Sequence, residues 1–115
     1  MTNKPLQDRD IAPGNVLGYV TGFARAGSRE EWDREVEKNW PTFIAEMSTN
    51  AGFKGAYALY TVETGEVSIL GMWESMDHRL AYEAKSSGPV RAIFNSLLKD
   101  GPRRYRQVVT KATWP

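Results

Sequence analysis

Apolar and polar positions alternate over residues 15–24, NVLGYVTGFA, with Val16, Val20 and Ala24 on one side of an extended chain and Leu17, Tyr19, Thr21 and Phe23 on the other. That period of two predicts a first strand with apolar side chains on both faces. Gly18 and Gly22 fall on one face, where a missing side chain lets another group approach the backbone. Over residues 28–49 the period lengthens: Trp32, Val36, Trp40, Phe43, Ile44 and Met47 recur at helical spacing. Ser28 and Glu31 have the spacing of a capping box, and Glu30 and Glu31 suit the positive end of the helix dipole. Pro41 lacks a backbone donor and restricts Trp40, so a kink or a break is expected there.

Gly52 ends the helix, and residues 53–62, FKGAYALYTV, predict a second strand. The run Glu63-Thr64-Gly65-Glu66 is a hairpin turn, leading into a third strand over residues 66–74, EVSILGMWE. Ser75 caps a second helical region over about residues 76–98, broken at Ser86-Ser87-Gly88-Pro89. Its second part shows an apolar face of Val90, Ile93, Phe94, Leu97 and Leu98. Gly101-Pro102 stops it, and residues 103–113, RRYRQVVTKAT, predict the last strand. The order β, α, β, β, α, β is the α+β, ferredoxin-like βαββαβ arrangement, an antiparallel sheet with its helices on one face.

Helices can cover one sheet face, and the other should then be polar. Here it is not: Val67, Ile69, Gly71 and Trp73 share one side of the third strand, while Leu70 and Met72 join Ser68 on the opposite side. The second strand sorts into Phe53, Tyr57 and Leu59 on one side and Ala56, Ala58 and Tyr60 on the other. A second apolar face predicts an interface, and isologous pairing into a homodimer is its simplest closure. Cover by the chain's own arm is the alternative.

Composition narrows the chemistry. A chain of 115 residues fits one domain, here residues 14–115, preceded by a flexible polar N-terminal arm over residues 1–13. The net charge of +1 gives no global field toward nucleic acid or anionic membrane. The absence of cysteine excludes disulfides, thiolate metal sites and cysteine nucleophiles, and fits a cytoplasmic protein. No segment approaches the roughly 20 apolar residues that span a membrane. With one histidine and no paired-ligand motif, neither a metal nor another cofactor is expected.

Gly52-Phe53, the stretch Tyr57 to Tyr60, the glycine hairpin, Met72-Trp73-Glu74-Ser75 and Gly88-Pro89-Val90-Arg91-Ala92-Ile93-Phe94 together resemble the antibiotic biosynthesis monooxygenase-like (ABM-like) family. The resemblance covers about residues 15–113. It implies a dimeric α/β barrel with one pocket per subunit, between the sheet and its own helices. Members include oxygenases that oxidise aromatic polyketides without metal or flavin, heme-degrading monooxygenases, and proteins without an established reaction.

Trp73 matches the family's pocket tryptophan and offers a flat apolar wall with one N–H donor. Trp32, Trp40 and Phe43 form an inward stripe that would stack on a planar ligand or serve as plain core. Tyr19, Tyr57 and Tyr60 are candidate donors, and Tyr82 a further one from the second helical region. His78 is a candidate general base, although the polar run around it also fits a solvent-facing turn. Arg103, Arg104 and Arg106 flank Tyr105 and would hold an anion or form a solvated strand end.

The chain departs from the family at telling positions. Glu83 stands where heme-degrading members carry their axial histidine, and the first strand's asparagine, Asn15, lies at its outer end. Ile69 and Arg79 stand where quinone-forming oxygenases carry an asparagine and a tyrosine. Two readings follow: a cofactor-independent monooxygenase acting on a small aromatic or polyketide-type substrate, with Trp73, Tyr57, Tyr82 and His78 as catalytic candidates, or a non-catalytic binding or accessory domain. Heme degradation is the least supported.

Overall fold

The computed structural model describes residues 11–85, 88–99 and 102–113. In chain order it forms β1 (Val16–Phe23), α1 (Arg29–Ser48), β2 (Phe53–Tyr60), β3 (Glu66–Trp73), α2 (Met76–Lys85), α3 (Gly88–Leu97) and β4 (Arg103–Val108). All strand pairs are antiparallel and the sheet order is β2-β3-β1-β4, the ferredoxin-like βαββαβ topology with the second helical region in two pieces. The expected arm falls outside the described residues over positions 1–10, as do Ser86, Ser87 and Gly101 of the expected breaks.

The capping box forms as the spacing requires. Ser28 Oγ accepts from Glu31 N at 3.2 Å, and the Glu31 carboxylate accepts from Gly27 N at 3.1 Å, one residue further back than the usual partner. The helix then runs unbroken through Pro41, against the break the sequence suggests. Pro41 is exposed, so the carbonyl its missing N–H leaves unpaired faces water instead of the core.

Register decides which side chains share a face. Val16, Gly18, Val20 and Gly22 of β1 lie opposite Trp73, Gly71, Ile69 and Val67 of β3. This set packs against the helices: Val20, Val67, Ile69 and Trp73 join Trp32, Phe43, Met47, Tyr82, Val90 and Leu97 in one buried core. A bulge between Phe53 and Gly55 corrects the sequence reading of β2. One extra residue slips the alternation, so Phe53 joins Ala56, Ala58 and Tyr60 on the helix side, tilted against Trp73 with ring centroids 5.4 Å apart.

The opposite face buries Met72 and Thr21 but leaves its larger apolar side chains only half covered by the described chain. Phe23, Tyr57, Leu59 and Tyr105 are 48%, 49%, 50% and 45% exposed. A small polar seam crosses it, where Ser68 Oγ donates to Thr21 Oγ1, and Thr21 Oγ1 donates to the Val67 carbonyl, each at 3.0 Å.

Candidate ligand pocket between sheet and helices

Glycine lets helix side chains approach the sheet closely. Gly18 and Gly71 are register partners in the middle of the sheet, both turned toward the helices, where other strand residues would project side chains. A cavity of about 430 Å³ sits over them. Phe43 and Met47 of α1, Tyr82 of α2, Val90 and Phe94 of α3, and Val20 and Ile69 of the sheet form its apolar part. Phe43 and Phe94 stack at 5.1 Å and 22°. The lining is divided between this apolar part and a charged one, and the size suits a small planar molecule resting on the apolar side.

Trp73 lies on the same face, two residues from Gly71, fully buried and stacked on Tyr82 at 4.7 Å and 26°. Its Nε1 has no hydrogen-bond partner. The same nitrogen is 3.1 Å from where a Gly71 side chain would begin, and Met47 Sδ is 2.9 Å from that point. The donor is thus held beside a bare floor residue of the cavity, next to a flexible thioether. An unpaired buried donor forfeits about 1–3 kcal/mol, which an acceptor brought by a ligand would recover.

The second wall is ionic. Arg79 and Glu83 are one turn apart on α2, and Arg106 reaches them from β4. Glu83 Oε2 accepts from Arg79 Nε at 2.7 Å and from Arg106 Nε at 2.8 Å, and its Oε1 accepts from the other arm of the Arg106 fork at 2.7 Å. The hydrogen bonds from Arg106 and then Arg79 hold the Glu83 carboxyl down at about 2 from 4.5, against the partial burial that would raise it. The same carboxylate raises Arg106 above its ordinary value. The Arg79 guanidinium lies flat over Gly18, only 2.2 Å from the place a Cβ would take, and 5.3 Å from the Tyr82 ring centroid. Glycine at position 18 is what admits it.

The residues singled out from sequence divide among three places. Phe43 and Tyr82 line the cavity, and Trp73 stacks on Tyr82 without lining it. Trp32 and Trp40 line a separate outer groove between α1 and the edge strand β2, together with Tyr60. Tyr19 and Tyr57 belong to the uncovered face, where Tyr19 packs on Tyr105 at 5.5 Å, so neither reaches the cavity with Trp73. The reason is parity: both are odd-numbered positions in register with Leu70, whose side faces away from the helices.

His78 is also elsewhere. Its Nδ1 lies 2.7 Å from Ser75 Oγ, its backbone N–H donates to that oxygen at 3.2 Å, and its ring covers Gly52, where any Cβ would meet His78 Cγ at 2.4 Å. With φ of +83° at Gly52, glycine is required there twice over, by backbone and by space. Asn15 serves the strand end: its amide donates to the Glu74 carbonyl at 3.0 Å, and its oxygen accepts from Ala12 N at 2.7 Å and Lys54 Nζ at 2.9 Å.

Sequence reasoning noted Arg79, Glu83 and Arg106 singly, two as departures from a family pattern and one as part of a basic strand end. It missed that they meet. The four-residue spacing of Arg79 and Glu83 and the two-residue spacing of Arg104 and Arg106 were the available signals. Among the described residues, no three His, Cys, Asp or Glu side chains converge as a metal would need, and no helix is long and apolar enough to cross a membrane.

No protein-family model matches the sequence, and no curated protein matches it. Solved structures do match in shape. A monooxygenase of Streptomyces coelicolor, in complex with the ligand nanaomycin D, aligns with a TM-score of 0.69 at 18% identity, covering 96% of this chain and 99% of that one. SnoaB, a cofactor-independent oxygenase from Streptomyces nogalater, aligns at 0.58 and 11% identity over 88% of this chain and 96% of its own. A dimeric ferredoxin-like protein from an uncultured marine organism aligns at 0.60 and 13% identity over 95% and 96% of the two chains. The fold is therefore the ferredoxin-like one that the sequence pattern implies, shared in shape with these oxygenases. At these identities the likeness is one of fold.

Proposed function

We propose that this chain holds a small planar aromatic molecule in the helix-side cavity and oxidises it with dioxygen, without a cofactor, as a homodimer joined through the uncovered sheet face. The observation that carries the reading is the buried, unpartnered Trp73 N–H beside the bare floor at Gly71. A phenol–ketone ring system of the anthrone type would place an oxygen there by displacing the Met47 thioether, a side chain suited to such movement.

Ionised, that oxygen is an enolate, and a preorganised donor in an apolar site stabilises it more than water-facing donors do. The proton leaves through the open side of the cavity, since His78 is not there and Glu83, clamped by two arginines, is too weak a base. The enolate then gives one electron to dioxygen. The two radicals combine at the ring carbon, and the hydroperoxide loses water to leave a carbonyl. Overall a CH₂ and one O₂ become C=O and H₂O. The protein supplies orientation, the donor and a dry surface. The oxygenases of the same fold support this reading. The dimeric ferredoxin-like relative in shape and the exposed row of Phe23, Tyr57, Leu59 and Tyr105 support the pairing.

The test is titration of the purified chain with dithranol, a dihydroxyanthrone, under an oxygen electrode with tryptophan fluorescence followed in parallel. Quenching with uptake of one O₂ per dithranol, reduced at least tenfold in Trp73→Phe while circular dichroism is unchanged, is the expected result. Quenching without protein-dependent uptake would leave a binding domain of the same fold. Absence of both would overturn the reading.

A further inference from the structure

The cavity's charged wall is not needed for the oxidation just described. Arg104 and Arg106 are two residues apart on β4 and in register with Val20 and Gly18, so both face the helices. With Arg79 and Arg91 they bring four cations to the cavity lining, against Glu83 as its one carboxylate. Glu83 is already consumed by the fork of Arg106 and by Arg79. No carboxylate of the described residues pairs with Arg104, although the chain as a whole is nearly neutral at +1. By contrast Arg103, its neighbour on the opposite face, is paired with Glu66. The strand's arginine without an ion pair among the described residues is therefore the one turned to the apolar part of the cavity from its charged side. Arg91 and Arg104 are exposed at its edge, whereas Arg79 lies on the floor over Gly18 with its charge met by Glu83.

We infer that the cavity selects an aromatic ligand bearing a fixed carboxylate, received by Arg104 at the rim while the Arg79–Glu83–Arg106 cluster braces the wall beside it. The guanidinium fork matches a carboxylate with two parallel hydrogen bonds. The cluster keeps Arg106 occupied and Arg79 flat on the floor, so the incoming acid meets Arg104 and the facing Arg91 instead of breaking the brace. This inference rests on the pocket reading above and names the substrate class for it.

Two probes with one ring system separate the two claims: rhein, a dihydroxyanthraquinone carrying a carboxylate, and chrysazin, the same rings without it. Their affinities for the full chain are measured by calorimetry at low and high salt. Rhein is expected to bind at least tenfold more tightly, with the preference shrinking as salt screens the charges. Arg104→Gln should cut the preference to about threefold or less and leave chrysazin binding unchanged. Arg104→Lys should retain an intermediate preference, and Arg103→Gln should change nothing. Equal binding of the two probes by the natural chain, or a preference that survives Arg104→Gln, would overturn the carboxylate inference while leaving the pocket standing. Failure of both probes to bind would remove the pocket reading and this inference with it.

Discussion

The two faces of the sheet are built from the same alternating strands and end in opposite conditions. On the helix side, Val16, Val20, Val67, Ile69 and Trp73 are all 5% exposed or less. On the other side, Phe23, Tyr57, Leu59 and Tyr105 are about half exposed. The first face is completed by the chain's own helices, with Arg79 and Met47 filling the places that Gly18 and Gly71 leave free. The second carries comparable apolar side chains, and apart from the buried Met72 its large ones are left half open by the described residues. Apolar character alone thus does not separate core from interface. What separates them is whether the chain has an element left to place on the face.

The largest effect should come from the covered face. Phe43 is 1% exposed and stacks on Phe94, so Phe43→Ala should lower unfolding stability by about 3–5 kcal/mol, at any protein concentration, in urea titrations. A loss under 1 kcal/mol would mean that this face is less tightly built than its burial indicates. The uncovered face should respond differently. Tyr57→Asp with Leu59→Asp is expected to turn the proposed dimer into a monomer in sedimentation at micromolar concentration, with stability loss that depends on concentration. A natural chain that sediments as a monomer would break the comparison, leaving an exposed apolar face without a partner copy.

The smallest effect sharpens the covered face at its ionic edge. Glu83 has its folded pKa depressed to about 2, so its pairing contributes stability that is fully present above about 4.5 and lost as the pH falls through about 2. Glu83→Gln should cost on the order of 1–3 kcal/mol at neutral pH, discounted because the side chain is partly exposed. That difference from the natural chain should close as acid protonates Glu83. A gap that persists unchanged at pH 2 would mean that the carboxylate charge does not hold the cluster.

Much of the fold was legible because it rests on local rules. The period of two marked β1 and β3, Ser28 and Glu31 marked the start of α1, and Gly65 marked the hairpin. Two local readings failed where context outweighs propensity. Pro41 does not break α1, because its position faces solvent. Phe53 is not on the side of Tyr57, because a bulge inserts one residue and alternation cannot report an insertion. The site was legible in part. Trp73, Tyr82 and Phe43 were named from resemblance and spacing; Tyr82 and Phe43 line the cavity and Trp73 stacks on Tyr82. Trp32, Trp40, Tyr19, Tyr57 and His78 were named on the same grounds and stand elsewhere, since an aromatic or an imidazole in a pattern does not say which space it borders.

By itself, then, the sequence determined the elements, their order and the presence of two apolar faces, because those follow from periodicity and from residues that start and stop structure. Only the tertiary structure decided which face the helices cover, that Gly18 and Gly71 lie side by side on the cavity floor, and that Arg79, Glu83 and Arg106 form one cluster. Those facts depend on register between strands distant in sequence. Register is fixed by the packing of the whole sheet against its helices, and no short stretch of the chain encodes it.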